Sequence, residues 1–400
     1  MTKIFDFWPG YIVDEEFMHG SFQGYSLIHH PDYVPRCGSC GQHVKQIYDT
    51  RPRNIRDAPI FGVPVLLKVA FYRVDCPTCG IRTEAHKWIE VGRRLTRRFE
   101  TLISDLLHRQ IAIKHVAGHY QLHWDTIKDI DRRRMSSILA MNPIDFENLR
   151  HLMMDEFAIA RGHRYATIVA NAVTGRVLWV GEGNSRENVR PFFTDFLGDH
   201  CKRIEAVAMD MNASFDLEVR KHCLQAEVVY DLFHVVARYA REVIDAVRVD
   251  TANQLRGDKV ARKVVKTSKW LLLKNPENLN AGQAVKLNEV LAANTPLMTV
   301  YVAKDMLKEI WVARTLNEAA TAWRAFVAFA KESGIACLKH FAKKLTVYRR
   351  GILSHSLFRL GTSRLEGMNN KVKVIKRVAY GFRDFEYFSL KIKSSFHLNP

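Results

Sequence analysis

Three acidic residues stand in contexts where a carboxylate is costly or out of place. Asp155 ends the apolar run Leu152-Met153-Met154, Asp210 ends Val207-Ala208-Met209, and Glu366 opens an otherwise basic helical segment. A carboxylate at the end of a buried strand is expensive unless something pairs with it. Three of them brought together would suit hard divalent cations, which take oxygen ligands. Each acid alone also has a plainer reading. Asp155 or Asp210 could serve a salt bridge, and Asp210 could cap a helix beginning near Ala213. Ser363-Arg364-Leu365-Glu366 reads as a capping box, in which Glu366 would only satisfy a backbone N–H.

A second set of ligand types lies near the N-terminus. Cys37-Gly38-Ser39-Cys40 and Cys76-Pro77-Thr78-Cys79 are two C-x-x-C pairs, each followed by a glycine. Four thiolates suit a tetrahedral structural Zn2+, about one ion per chain. The stretch between the pairs is longer than the usual ribbon spacing of about 15 to 20 residues, and it contains a strand-like run from Val63 to Val74. His43 and His86 are alternative ligands that read more simply as surface histidines. Cys201, Cys223 and Cys337 have no partner at motif spacing and read as small core residues.

The charge points to the substrate class. Lys and Arg total 60 against 42 Asp and Glu, a net charge of +18, with an isoelectric point near 9.6. Such an excess indicates a polyanionic partner, nucleic acid first. The first residues lack the apolar stretch of a signal peptide, and no uninterrupted apolar run of about 18 residues suggests a membrane span. A cytoplasmic protein without a membrane partner is expected.

The elements that must position these groups follow from periodicity. Residues 93–138 read as three helices: one capped by Thr96, a short one near Ile113–Tyr120, and one from about Trp124 to Leu139. The third carries Lys128, Arg132, Arg133 and Arg134 outward. This is the pattern of a helix-turn-helix whose last helix enters the major groove. Strands follow near 152–158, 164–171 and 176–181, with links too short for crossovers, so an antiparallel meander is expected. The first link is Arg161-Gly162-His163. A helix capped by Ser185, a strand ending at Met209, a helix from Ala213 to His222 and a strand at Glu227–Tyr230 then imply parallel, right-handed connections. This is the ribonuclease-H-like arrangement, in which the first and fourth strands are neighbours and Asp155 approaches Asp210.

From 232 to about 360 the pattern is almost wholly helical, with a basic side at Arg256, Lys259, Arg262, Lys263, Lys266 and Lys269. Gly361 ends it. In the next helix Met368, Val372, Ile375 and Ala379 share one face, and Glu366, Asn370, Lys373 and Arg377 the other. The expected fold is α+β and multidomain. A zinc-binding ribbon-like domain spans 1–92 and a helix-turn-helix 93–145. The first part of a ribonuclease-H-like core spans 146–235, an all-α insertion 236–360, and the final catalytic helix 361–400.

In this order the motifs resemble the bacterial insertion-sequence transposases of the DDE type, and among them the ISL-three family, over nearly the full length. The segments that carry the resemblance are the paired C-x-x-C motifs, Leu95-Thr96-Arg97-Arg98-Phe99-Glu100, Asp155-Glu156-Phe157-Ala158 and Gly162-His163-x-Tyr165. Met209-Asp210-Met211, Asp231-Leu232-Phe233-His234 and Lys269-Trp270-Leu271-Leu272-Leu273-Lys274-Asn275 continue it. Glu366-Gly367-Met368-Asn369-Asn370-Lys371-x-Lys373 and Arg377-x-Ala379-Tyr380-Gly381-Phe382 complete it. The resemblance implies a catalytic triad of Asp155, Asp210 and Glu366 holding two Mg2+ or Mn2+. It implies positioning roles, behind the metals or on DNA, for Asp231 and His234, and the outer helix face adds Asn370, Lys373 and Arg377. It further implies binding of terminal inverted repeats and target DNA by at least a homodimer, close to the bacterial nucleoid. Two rivals remain: a DNA-binding regulator with an inactive transposase-like domain, and a ribonuclease-H-like nuclease that cuts without joining.

Overall fold

The computed structural model describes residues 7–160, 162 and 164–397. The chain forms two compact units, Met1–Ser137 with Ile375–Phe382, and Ile138–Val374 with Arg383–Pro400.

The first unit begins with a five-stranded sheet of β1 (Tyr11–His19), β2 (Phe22–His29), β3 (Ile47–Ile60), β4 (Val63–Cys76) and β5 (Gly80–Thr83). The order is β1-β2-β4-β3, with β5 also on β4. The long gap between the cysteine pairs is explained by β3 and β4. These 14-residue strands form one hairpin around Phe61 and Gly62, whose φ angles of 49° and 82° suit a tight primed turn. Three helices follow: α1 (Arg97–His108), α2 (Ile113–Tyr120) and α3 (Trp124–Met141). Thr96 caps α1, its hydroxyl accepting from Phe99 N at 3.4 Å. Gln121, at φ 52°, turns the chain between α2 and α3. Phe99, Ile103, Leu107, Val116, Ile127 and Ile130 close a shared core. Asp57, wholly buried, joins β3 to α1 by accepting from Trp8 Nε1 and Arg98 Nε at 2.8 and 2.7 Å, and from the Thr96 hydroxyl.

The second unit is built on a sheet of β6 (His151–Ala160), β7 (Arg164–Asn171), β8 (Val177–Glu182), β9 (Ala206–Met209) and β10 (Glu227–Tyr230), ordered β10-β9-β6-β7-β8. β7 runs antiparallel to β6 and β8, while β9 and β10 are parallel to β6 and to each other. The expected meander and parallel pair are both present. In the β6–β7 link, Arg161 and His163 lie outside the described residues. Between β8 and β9, α4 (Arg186–Pro191) starts at Ser185, whose hydroxyl accepts from Asn188 N. The expected single helix there changes pitch at Phe192, where the backbone widens to a π turn and then tightens to a 3-10 turn ending at Arg203. α5 (Ala213–His222) connects β9 to β10.

Leu152, Met154, Val207 and Met209 face one side of this sheet, against α4, α5 and the helical stretch that follows β10. That stretch begins with α6 (Leu232–Tyr239) and runs to Phe358. Its residues Tyr239, Leu307, Phe326 and Phe341 belong to the same hydrophobic cluster as the strands, so the insertion packs on the sheet as one core. α7 (Ser363–Val378) and α8 (Phe385–Ser395) follow. On the opposite side of the sheet the Phe157 and Phe388 rings meet at 6.1 Å.

Candidate functional site

Alternation and register bring Asp155 and Asp210 together. β6 and β9 pair in parallel with Leu152 beside Val207 and Met153 beside Ala208. Two positions further along both strands stand Asp155 and Asp210. Side chains alternate with period two, so both carboxylates leave the sheet on the face opposite the Met154–Met209 core. They sense each other. Burial pushes the Asp155 carboxyl up to about 6, with the Asp210 and Glu156 charges adding and the His234 imidazole opposing. Burial raises Asp210 too, with His234 again opposing and Glu156 adding. Asp210 Oδ1 is buried without a hydrogen-bond partner. An orphaned carboxylate oxygen beside a second carboxylate is a donor set that fits a divalent cation, which would supply the missing partner.

Asp210 does not cap α5. That role falls to Asn212, whose side chain accepts from Ser214 N at 2.9 Å. Nor does Ser363 open a capping box. Leu365 N and Glu366 N both bond to the Thr362 carbonyl, so Ser363 is already the first helical residue. Glu366 is therefore one position too far along to be the acid of that box.

Three ties set α7 against the second unit. Arg364 Nη1 donates to the Val173 carbonyl at 2.6 Å, Lys371 Nζ to the Ser395 carbonyl at 2.9 Å, and Asn369 Nδ2 to Asp155 Oδ2 at 2.7 Å. Glu366 sits one turn before Asn369, on the same side of the helix. It is exposed, and its carboxylate pairs with none of the described residues. The structure thus joins Asp155 to Asp210 and brings the helix of Glu366 to them. The three carboxylates do not meet within 4.8 Å. Among the described residues, only the four cysteines and a His29–Glu84–His86 group gather three or more ligand atoms that closely.

Asp231 directly follows β10 as Asp210 directly follows β9. Its Oδ1 caps α6, accepting from Phe233 N at 2.7 Å, and its Oδ2 accepts from Thr362 N at 2.5 Å. One buried carboxylate therefore fixes both the start of α6, which carries His234, and the start of α7, which carries Glu366. His234, half-buried on α6, acts electrostatically on Asp155 and Asp210. Asn370, Lys373 and Arg377 are exposed on α7, with Lys373 Nζ donating to Asn370 Oδ1 at 3.2 Å.

Two neighbours were missed in the sequence. Asn369, next to the selected Asn370, is the residue that reaches Asp155. The helical period would have shown it, since it lies three positions from Glu366. Glu156 is held by Asn184 Nδ2 at 2.6 Å and Asn212 Nδ2 at 3.5 Å, and its charge acts on both aspartates. Strict alternation directs it away from Asp155, and no sequence signal marks it.

In the first unit, Cys37, Cys40, Cys76 and Cys79 bring their sulfurs within 4.8 Å of one another. Burial raises the Cys37 thiol, but the amide N–H groups of Cys40 and Ser39 outweigh it and bring it to about 7. The Gln42 amide lowers the Cys40 thiol, but partial desolvation and the neighbouring sulfurs outweigh it and push it up to about 11, so the four cannot all ionise until a cation such as zinc joins them. His86 is not a surface histidine: it is 8% exposed. His43 is exposed. On α3 the basic residues divide. Arg133 makes a bidentate pair with Glu100, both bonds 3.0 Å, and a third contact with Asp129. Arg134 is not outward, because it turns in to neutralise the wholly buried Asp131 at 2.7 Å. Lys128 lies over the exposed Trp124 ring at 5.2 Å. Arg132 is half-buried.

Comparison with known proteins agrees along the whole chain. Residues 152–392 match a family described as transposase of the ISL3 group, residues 34–79 the zinc finger of the IS204/IS1001/IS1096/IS1165 transposases, and residues 84–135 the helix-turn-helix domain of transposase family ISL3. The chain belongs to the ISL3 family of insertion-sequence DDE transposases. It is 45% identical over 392 residues to the transposase for insertion sequence element IS1001 of Bordetella parapertussis, covering 97% of this chain and 96% of that one. The transposase for IS1557 from two strains of Mycobacterium tuberculosis is 27% identical over 385 residues, covering 87% and 82%. A zinc ribbon and a helix-turn-helix thus precede the transposase domain, and the helix-turn-helix and transposase matches imply DNA binding. No helix among the described residues is long and apolar enough to cross a membrane.

Proposed function

We propose that the transposase domain is ribonuclease-H-like, with Asp155, Asp210 and Glu366 as its catalytic carboxylates. The supporting observation is the register that sets Asp155 beside Asp210, with Oδ1 of Asp210 unpartnered. Strand order and direction fit the same reading. Two Mg2+ or Mn2+ ions held by these three residues would polarise the scissile phosphate and lower the pKa of the attacking water.

The chain's own groups do the rest. His234 offsets the mutual repulsion of the two aspartates. Asn369 orients Asp155, and Asp231 fixes the helix from which Glu366 swings inward. A rotamer change of an exposed glutamate costs little. Terminal inverted repeats are bound through the helix-turn-helix, with Trp124 and Lys128 at the start of its last helix. Arg132 remains a candidate contact, while Arg133 and Arg134 chiefly hold that helix in place. Exposed cations, among them Lys373, Arg377 and the Arg256–Lys266 stretch, add salt-dependent backbone affinity. Cleavage at the element end frees a 3′-OH, and that hydroxyl then attacks a phosphodiester of the target. Two ends must be handled together, so the active complex is at least a homodimer on DNA, acting in the bacterial cytoplasm at the nucleoid.

The test is Asp210→Ala assayed on a plasmid carrying the inverted repeats. End binding is retained and Mg2+-dependent cleavage is abolished. Normal cleavage would remove Asp210 from the site. A precut end supplied with target DNA separates a transposase from a nuclease that cannot join.

A further inference from the structure

The first unit holds a second group of ligand atoms that the cysteines do not account for. His29 ends β2, and Glu84 and His86 follow β5, so two sequence-distant segments bring three ligand residues together beside the zinc ribbon. His29 Nε2 lies 2.7 Å from Glu84 Oε1, and His86 Nε2 lies 3.1 Å from Glu84 Oε2. Glu84 is 1% exposed.

Hydrogen bonding explains only half of this arrangement. Glu84 Oε1 is well supplied, accepting from Tyr72 N at 2.7 Å, the Tyr11 hydroxyl at 3.2 Å and His29. Glu84 Oε2 is buried with no aligned hydrogen-bond partner, although His86 Nε2 is close by. A buried carboxylate oxygen left without an aligned partner is unfavourable, and a bound cation would satisfy it. The imidazoles are also held in plane. Tyr72 stacks on His29 at 3.6 Å, and Tyr33 stacks on His86 at 5.4 Å with its hydroxyl 3.3 Å from Nδ1. A hydrogen bond to the far imidazole nitrogen is how metal-binding histidines are oriented.

We propose that His29, Glu84 and His86 bind a second divalent metal ion, separate from the four-cysteine site. Two imidazoles and a carboxylate are borderline donors that suit Zn2+. The Tyr11 hydroxyl lies 3.1 Å from His86 Nε2, close enough to anchor a water on the ion. The ion clamps β2 to the segment after β5. That segment also pairs with the first cysteine loop, Glu84 opposite Cys37. The two ions would brace neighbouring segments of one small sheet.

Metal analysis of the full chain dialysed against Zn2+ tests this, with Asp155 and Asp210 replaced by Asn throughout so that the transposase-domain carboxylates hold no zinc. Two zinc ions per chain are expected, with an X-ray absorption first shell of sulfur and nitrogen or oxygen in about equal parts. The His29→Gln/His86→Gln variant retains one zinc with an all-sulfur shell. Cys37→Ser/Cys76→Ser retains one with a nitrogen and oxygen shell. A single zinc per chain of this Asp155→Asn/Asp210→Asn parent, with only sulfur around it, would overturn the proposal. The parent's spectrum decides the matter even if a histidine or cysteine variant does not fold.

Discussion

Asn369 donates its side-chain amide to Oδ2 of Asp155 across 2.7 Å, joining α7 to the carboxyl end of β6. Asn369 Oδ1 is itself buried without a partner. The residue is therefore committed to a contact that satisfies only half of its amide. Such a contact positions Asp155 and the helix of Glu366 at a cost in hydrogen bonding.

Asn369→Ala should lower cleavage roughly 10- to 100-fold, the usual loss when a partner of a metal ligand is removed. The Mg2+ concentration for half-maximal rate should rise, while binding to inverted-repeat DNA is unchanged. Cleavage kinetics over a Mg2+ series check this, and wild-type values would show that Asn369 only fills space.

Asp155 makes stability depend on pH in a sign opposite to most carboxylates. Its ordinary value is 3.8 and its folded value about 6, so the folded chain binds more protons between the two. The stability it contributes is present below about pH 4 and lost as pH rises through about 6. Asp155→Asn escapes that loss. In EDTA its advantage over wild type should grow across this window to roughly 2 kcal/mol at neutral pH. Added Mg2+ should raise Tm of the wild type and leave Asp155→Asn/Asp210→Asn unmoved. Equal Mg2+ shifts in both proteins would place the ion elsewhere.

Asp231 allows two functions of one carboxylate to be separated. Asp231→Ala loses both the α6 cap and the bond to Thr362 N, and should cost about 1 to 2 kcal/mol from the cap alone. Asp231→Asn keeps a carbonyl oxygen for Phe233 N but presents an amide to Thr362 N. It should melt near the wild type and yet cleave more slowly with weaker Mg2+ dependence. Full activity of Asp231→Asn would mean that this tie does not position Glu366.

On α3, Lys128→Ala should weaken DNA binding and reduce the slope of log affinity against log salt by about 1. Arg133→Ala should instead lower stability by about 1 kcal/mol, because its partners are Glu100 and Asp129. Fluorescence anisotropy over a salt series, paired with urea unfolding, separates the two roles.

Much of this protein is written in local pattern. Period-two strands, caps at Thr96 and Ser185, and the spacing of Cys37, Cys40, Cys76 and Cys79 are short-range signals, and each appears where the residues place it. The pairing of Asp155 with Asp210 was also legible, because it needs only strand order and a register set by apolar runs. What local pattern does not encode is which polar groups meet across distant segments. Asn369 reaches Asp155, Asp231 reaches Thr362, and His86 is drawn inside with Glu84 and His29. Asn370 is as polar as Asn369, and Ser363 as polar as Thr362. Only the closing of the tertiary structure, which buries one of them and forces its hydrogen bonds to be found within the protein, makes the choice.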